Sequence, residues 1–476
     1  MTSTFHLIPQ HRTHARPRIV VPSRVVTNGV VSDSPPSRRI WFWAGIATLA
    51  SFLFGYYSAV VAGAQLFIKD DLHLGTVQQG AVVSVLLAGA AVGGLCAGRL
   101  GDRFGRRSAL LLAAVLFIAG GVLAVATPGF GILLAGRIVQ GLGIGLSSVI
   151  VPLYLSEIAP AELRGRLVTI NQLMLTVGIM AAYVVNLAFA AQGDWRWMFG
   201  VGLIPSVLLL VGIARLPESP VWLEGRGRLA SARRVLAQVY GEHTADIHLS
   251  RLQHARRAAP ASTGLRGLTS RAVRPALLIG VVLAVLQQFV GINAVIYYAP
   301  TIMQHTGLDT SNAILYSLAI GVLNVVMTLV SIRLIDRWGR RPLLLTSLSG
   351  MAVALVILGA TFVWQVPAAS VIALICLLAF IAFFAIGMGP VFWLLLAEIF
   401  PPAERGTGAA VSATSNWIAN IVVSQLFLSL VAGLGQGPTF WLFAAVCVLG
   451  LIFVRRRVIE TKGKDFADIT RELSTA

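Results

Sequence analysis

The chain has 476 residues, of which 57% are hydrophobic and 12% charged, whereas soluble globular domains carry about 25% charged residues. That composition, with a mean hydropathy of +0.81, excludes an ordinary soluble domain. The net charge of +18 does not indicate a nucleic-acid partner, because the basic residues are spread over alternate loops rather than gathered into one patch.

In chain order, residues 1–39 are polar, carry Pro and Arg, and lack the apolar core of a cleavable signal peptide. They are expected to form a disordered, solvated cytoplasmic tail. Apolar blocks long enough to cross a bilayer, about 20 residues each, then begin near residues 40, 79, 108, 131, 167, 198, 275, 312, 342, 370, 407 and 438. Runs such as Val371 to Phe380 do not alternate in polarity, so these are helices and not barrel strands. The expected fold class is an all-α membrane protein of twelve transmembrane helices in two six-helix bundles, residues 40–215 and 275–455. Between them, residues 216–274 form a cytoplasmic linker with a helical pattern at Leu229 to Tyr240, and residues 456–476 form a second cytoplasmic tail.

Arg and Lys crowd into alternate loops, including Arg99 to Arg107, Arg215 to Arg274 and Arg333 to Arg341. The positive-inside rule therefore places both termini and the linker in the cytoplasm, which needs an even number of spans. Cys96, Cys376 and Cys447 lie within apolar blocks as small packing residues, with neither a disulfide framework nor a metal site implied.

The halves repeat where they are most polar. GRLGDRFGRR at 98–107 is matched by IRLIDRWGRR at 332–341, and SEIAPAELRGR at 156–166 by AEIFPPAERGT at 397–407. Both copies fall on one side, as in transporters built from two parallel repeats around a midplane site. Charges that only enforced topology would account for the Arg residues but not for Asp102, Asp336, Glu157 and Glu398, since acidic residues orient spans weakly. The expectation is an ion-pair network between the halves, formed by Asp102, Arg103, Arg106, Arg107, Glu157, Arg164, Glu218, Asp336, Arg337, Arg340, Arg341, Glu398 and Arg405. It closes the cytoplasmic side when the substrate site faces outward.

With DRFGRR at 102–107, GRIVQGLGIG at 136–145, PLYLSEIAPAELRG at 152–165, PESP at 217–220, QQFVGINAVIYYAP at 287–300 and ETKG at 460–463, the chain resembles the sugar porter family of the major facilitator superfamily. That family includes bacterial xylose-proton symporters and animal glucose facilitators. The resemblance implies the major facilitator fold and alternating-access transport of a monosaccharide or related polyol, with no cofactor and no metal. It implies a multi-pass protein of the cell membrane that works as a monomer, its partners being sugar, lipid and, in a coupled mechanism, protons.

Sugar hydroxyls both donate and accept hydrogen bonds, and an amide offers both complements without charge. The resemblance places the substrate against Gln172, Gln287, Gln288, Asn293, Asn324 and Asn416, although an isolated amide in a membrane helix more often bonds a neighbouring helix. Trp393, then Phe54, Phe384 and Trp417, are the rings expected to pack on the sugar's C–H face; helix packing is the competing reading. Gly291, Pro300, Gly387, Gly389 and Pro390 are expected to break helices beside these residues, Pro300 ending its span. Tyr297 and Tyr298 match the family's extracellular gate, with interfacial anchoring as the alternative.

One position departs from the pattern. Proton-coupled members carry Asp after the FGY tripeptide of the first span, paired with an Arg of the fourth. Here FGY at 54–56 is followed by Tyr57, while the Arg is retained as Arg137. A phenol titrates near pH 10, so Tyr57 is expected to orient Arg137 without cycling protons, which favours facilitated diffusion over symport through Glu157 or another acid. A non-transporting sugar sensor would usually carry a longer cytoplasmic tail. An exporter of greasy cations would want a carboxylate in place of the amides, and no nucleophile–base pair, metal cluster or paired carboxylates in the spans suggest an enzyme.

Overall fold

The computed structural model describes residues 38–258, 267–270, 273–401, 404–464, 468–469 and 471–472, apart from the side chains of Arg38, Ala161, Glu162, Val168, Ala255, Ala258 and Asp336. Most of the 1–39 tail therefore lies outside the described residues, as do the side chain of Asp336 and parts of 456–476.

Among the described residues, twelve helical segments are long and apolar enough to cross a membrane: Arg39–Asp71, Thr76–Phe104, Arg106–Val125, Phe130–Ile158, Leu163–Ala190, Trp195–Ile213, Arg274–Gln304, Thr310–Ile335, Arg340–Val363, Ala369–Ile399, Arg405–Leu434 and Gln436–Arg457. Each begins one to four residues before the position expected from hydropathy, because the helices run on into the polar turns. With an even number of spans, the first begins and the twelfth ends on the same side. That side also carries the Arg-rich turns and is termed the basic face; the other is the far face.

Contacts repeat with an offset of six spans. The first span packs on the fifth as the seventh does on the eleventh; the second packs on the fourth as the eighth does on the tenth; the third packs on the sixth as the ninth does on the twelfth. Across the halves, the second span meets the eleventh and the fifth meets the eighth, again as a symmetric pair. This is the architecture of two like six-helix bundles.

Glycine sets the closest approaches. A Cβ on Gly145 would lie 1.9 Å from the Ala90 carbonyl oxygen, one on Gly141 2.0 Å from that of Leu86, and one on Gly93 2.3 Å from that of Leu142. The second and fourth spans therefore meet backbone to backbone. Small residues spaced by four permit this where dispersion, not water exclusion, holds helices together.

Three spans are broken: the sixth divides into Trp195–Gly200 and Leu203–Ile213, and two others divide beside the candidate polar residues. The seventh divides into Arg274–Phe289 and Ile292–Gln304 around Gly291, whose φ of +91° is left-handed. Glycine alone adopts that conformation without a Cβ penalty. The tenth divides into Ala369–Ile386 and Met388–Ile399 at Gly387, and Pro390 falls in the first turn of the second piece, where its missing N–H costs nothing. Pro300 does not end its span as expected: the helix runs on to Gln304.

Among the described residues, three short helices follow the first bundle: Pro220–Gly225, Leu229–Tyr240 and Ala245–Ala258. The first is capped by Ser219, which accepts from the Trp222 amide at 3.2 Å. The linker docks on the second span, where Trp222 and Arg226 donate to the Asp102 carbonyl at 2.8 and 2.9 Å, satisfying an acceptor that the helix end leaves open.

Candidate substrate-binding site

The break at Gly291 brings amides from both pieces of the seventh span together. Asn293 donates to Gln288 Oε1 at 2.7 Å, Gln288 to Asn416 Oδ1 at 3.1 Å, and Asn416 to Gln287 Oε1 at 2.8 Å. Gln287 ends the chain by donating to the carbonyls of Met388 and Gly389 at 3.0 and 3.1 Å, in the first turn of the second piece of the tenth span. Asn416 spends its second N–H on the Ala284 carbonyl at 2.9 Å. Both N–H groups of Gln287 and of Asn416 are thus committed. Capacity for a ligand remains at half-buried Asn293 and at the second lone pair of Gln288 Oε1.

The Phe54 ring stacks on Trp417 with centroids 6.0 Å apart, joining the first and eleventh spans across the halves beside Asn416. Trp393 is half exposed and meets Phe392 edge-on at 4.8 Å. Phe384 is half-buried, its ring against Gly389. Gln172 is exposed and Asn324 half-buried, and neither side chain is hydrogen-bonded to the amide chain.

Arg137 is fully buried, about 10 Å inside the fourth span from its far-face end at 1.5 Å per residue. Its Nη1 donates to the Tyr57 carbonyl at 2.7 Å and to Gln140 Oε1 at 3.1 Å, and its Nε to the Val82 carbonyl at 3.1 Å. The guanidinium also lies 5.5 Å from the Phe199 ring. Tyr57 therefore meets Arg137 through its backbone. Its hydroxyl faces Ser206 Oγ at 3.3 Å instead, and its ring stacks on Phe117. Every Asp and Glu of the sequence lies in a loop or within two residues of a span end, so no carboxylate neutralises Arg137.

Hydrogen bonds between the halves lie toward the far face. Tyr183 donates to the Ile296 carbonyl at 2.7 Å, Ser84 to Gln425 Oε1 at 2.6 Å, and Gln425 to the Val77 carbonyl at 3.1 Å. Tyr297 and Tyr298 are buried at this closure, and Tyr298 donates to the Ser424 carbonyl at 2.9 Å while stacking on Phe427. Neither ring is exposed as a headgroup anchor would be.

At the basic face the charged residues form two clusters, one inside each half. Arg106 reaches Glu157 at 3.1 Å and Asp102 at 3.0 Å; Arg340 reaches Glu398 at 2.7 Å. Glu218 accepts from the backbone amides of Arg106 and Arg107, and Glu460 from those of Arg340 and Arg341. Each carboxylate caps the start of a spanning helix, where the dipole favours negative charge. Burial alone would raise the Glu460 pKa, but the amides of Arg340, Lys462, Arg341 and Thr461 hold it below the ordinary value. Arg107 and Arg341 donate to the carbonyls of Ala214 and Arg455. Arg103, Arg337 and Arg405 are exposed, and Arg164 donates to the Ser156 carbonyl at 3.0 Å. Glu157 thus pairs with Arg106 of the repeat motif, not with Arg164, and no ion pair between described residues joins the halves in this state.

Gln140, Tyr183, Gln425 and Glu460 were not expected among the functional residues. Gln140 and Glu460 fall within the quoted motifs GRIVQGLGIG and ETKG, whereas nothing local distinguishes Tyr183 or Gln425 from packing residues.

Two bundles of six spans, an amide chain at paired helix breaks and one closed face define a transporter of the major facilitator fold. Residues 43–473 match the protein family described as "Sugar (and other) transporter", and the chain belongs to the sugar porter family. It is 40% identical to the glucose transporter GlcP of Staphylococcus epidermidis over 90% of this chain and 96% of that protein. Its fold matches the inward-open conformation of the xylose transporter XylE from E. coli with a TM-score of 0.80 and 31% identity, covering 91% of this chain and 99% of that one. Against the proton:xylose symporter XylE bound to 6-bromo-6-deoxy-D-glucose, the TM-score is 0.72 at 32% identity, over the same shares of each chain.

Proposed function

We propose that this protein carries a monosaccharide or related polyol, a hexose, pentose or cyclitol, across the cell membrane by alternating access and facilitated diffusion. The observation that carries the facilitator reading is Arg137, buried among carbonyls and rings, with every Asp and Glu of the sequence in a loop or within two residues of a span end. A proton carrier working near neutrality needs a group whose pKa lies in that range, and neither a guanidinium nor a phenol qualifies. Substrate recognition falls to Gln288, Asn293 and the aromatic pair Phe54 and Trp417, with Gln287 and Asn416 holding them against the tenth span. Gln172, Asn324, Trp393 and Phe384 line the path toward the basic face. By the positive-inside rule that face is cytoplasmic, so the structure is the inward-facing state, with Tyr297 and Tyr298 as the closed outer gate. The protein acts as a monomer.

A second reading, proton symport, draws on the symporter XylE among the matching structures and would route protons through Glu157 or Asp102.

Counterflow in proteoliposomes tests the substrate assignment. Vesicles loaded with unlabelled glucose, xylose, galactose or inositol should drive transient uptake of the labelled form of at least one of them. No counterflow with any of the four would overturn the assignment.

A further inference from the structure

We infer that Arg137 and Gln140 form a binding site for a small monovalent anion of the halide class, which supplies the counter-charge that the protein itself does not.

The case starts from hydrogen-bond accounting. Arg137 offers five N–H donors; Nε and Nη1 are spent on Val82, Tyr57 and Gln140. Its Nη2 and the neighbouring Gln140 Nε2 are fully buried and have no partner. Gln140 and Arg137 themselves are both 0% exposed. Leaving a buried donor unmade costs about 1–3 kcal/mol, more for a charged group.

Charge makes the need specific. The groups facing the guanidinium are neutral on every element packed against it: the Tyr57 carbonyl of the first span, the Val82 carbonyl of the second, Phe199 of the sixth and Tyr297 of the seventh. A water could accept from Nη2 and Nε2 but would leave the positive charge uncompensated, and buried charges are normally paired. An anion satisfies both donors and the charge together.

Packing around the pair is close, which limits the size of the anion. The third span crosses this cluster at Gly120 and Gly121. A Cβ on Gly120 would come 2.7 Å from Gln140 Cγ, and one on Gly121 would come 3.0 Å from the Tyr57 hydroxyl. A spherical halide suits such a corner better than a bulky oxyanion or sulfonate.

The test uses the purified full-length protein without sugar, so it stands apart from the transport reading. Melting temperature is measured in sodium chloride, bromide and isethionate at constant ionic strength. The expected result is a saturable rise of about 2–4 °C with either halide and none with isethionate. Gln140→Glu places a carboxylate at the atom that already accepts from Nη1. It should raise the melting temperature in isethionate and abolish the halide increment. If that variant does not fold, bromide anomalous scattering from the unmodified protein should show a peak beside Nη2. Equal melting in all three salts, a halide increment that persists in Gln140→Glu, or no bromide peak at saturating salt would overturn the inference.

Discussion

Gln288 sits where the amide chain is anchored on one side and open on the other. It donates to Gln287 and Asn416, while its own oxygen retains a lone pair beside Asn293. Gln288→Ala should weaken sugar binding by the worth of a desolvated hydrogen bond, about 1–3 kcal/mol, or roughly 5- to 150-fold in affinity. Isothermal titration of the folded variant checks this, and unchanged affinity would remove Gln288 from the site. Gln287→Ala frees the Met388 and Gly389 carbonyls instead, so a fall in transport rate larger than the fall in affinity is expected. These amides were legible because polar residues stand out in an apolar helix. What could not be read was the division of labour, which depends on the fold bringing the Met388 and Gly389 carbonyls against Gln287. Tyr57 carries the same lesson: a substitution names a side chain, yet the contact with Arg137 runs through the backbone oxygen.

The helices themselves are set by two devices, close glycine contacts and carboxylate caps. Gly145→Val would drive a side chain into the Ala90 carbonyl, 1.9 Å from the first added carbon. The second and fourth spans must then separate, and loss of the monodisperse folded protein on size exclusion is the expected outcome. Glu398→Arg removes the partner of Arg340 and of the Thr461 hydroxyl and sets two cations together. The pair is partly buried, so melting should occur a few degrees lower and transport should fall, while sugar binding at the amides persists. Glu460 has a folded pKa below its ordinary value, so its contribution is present above the unfolded pKa of about 4.3 and is lost as pH falls through the folded one. Glu460→Gln should therefore lower the melting temperature at pH 7 and flatten its decline at acidic pH. An unchanged acid limb would count against the cap. Spans, breaks at Gly291 and Gly387, and the motif repeat could all be read from residue type and spacing. The pairing of Glu157 with Arg106 could not, because those residues lie 51 apart in sequence and only the folded third and fourth spans bring them together.

For the molecule as a whole, the two halves meet toward the far face through Tyr183, Ser84 and Gln425, while Arg106–Glu157 and Arg340–Glu398 each lie within one half. In the proposed mechanism this is one end state of a rocking cycle in which contacts at one face are exchanged for contacts at the other. The ion-pair network expected between the halves belongs, on this reading, to the opposite state. Tyr183→Phe removes one of the outer closures and should shift the population toward the outward-facing form; greater labelling of a cysteine placed on the far face would show it. The central claim is that the cycle carries sugar without a proton, and it is tested most directly by sugar uptake into proteoliposomes with and without an imposed inward proton gradient. Facilitated diffusion predicts the same plateau in both, equal to the external sugar concentration. Accumulation above that level under the gradient, abolished by a protonophore, would contradict it.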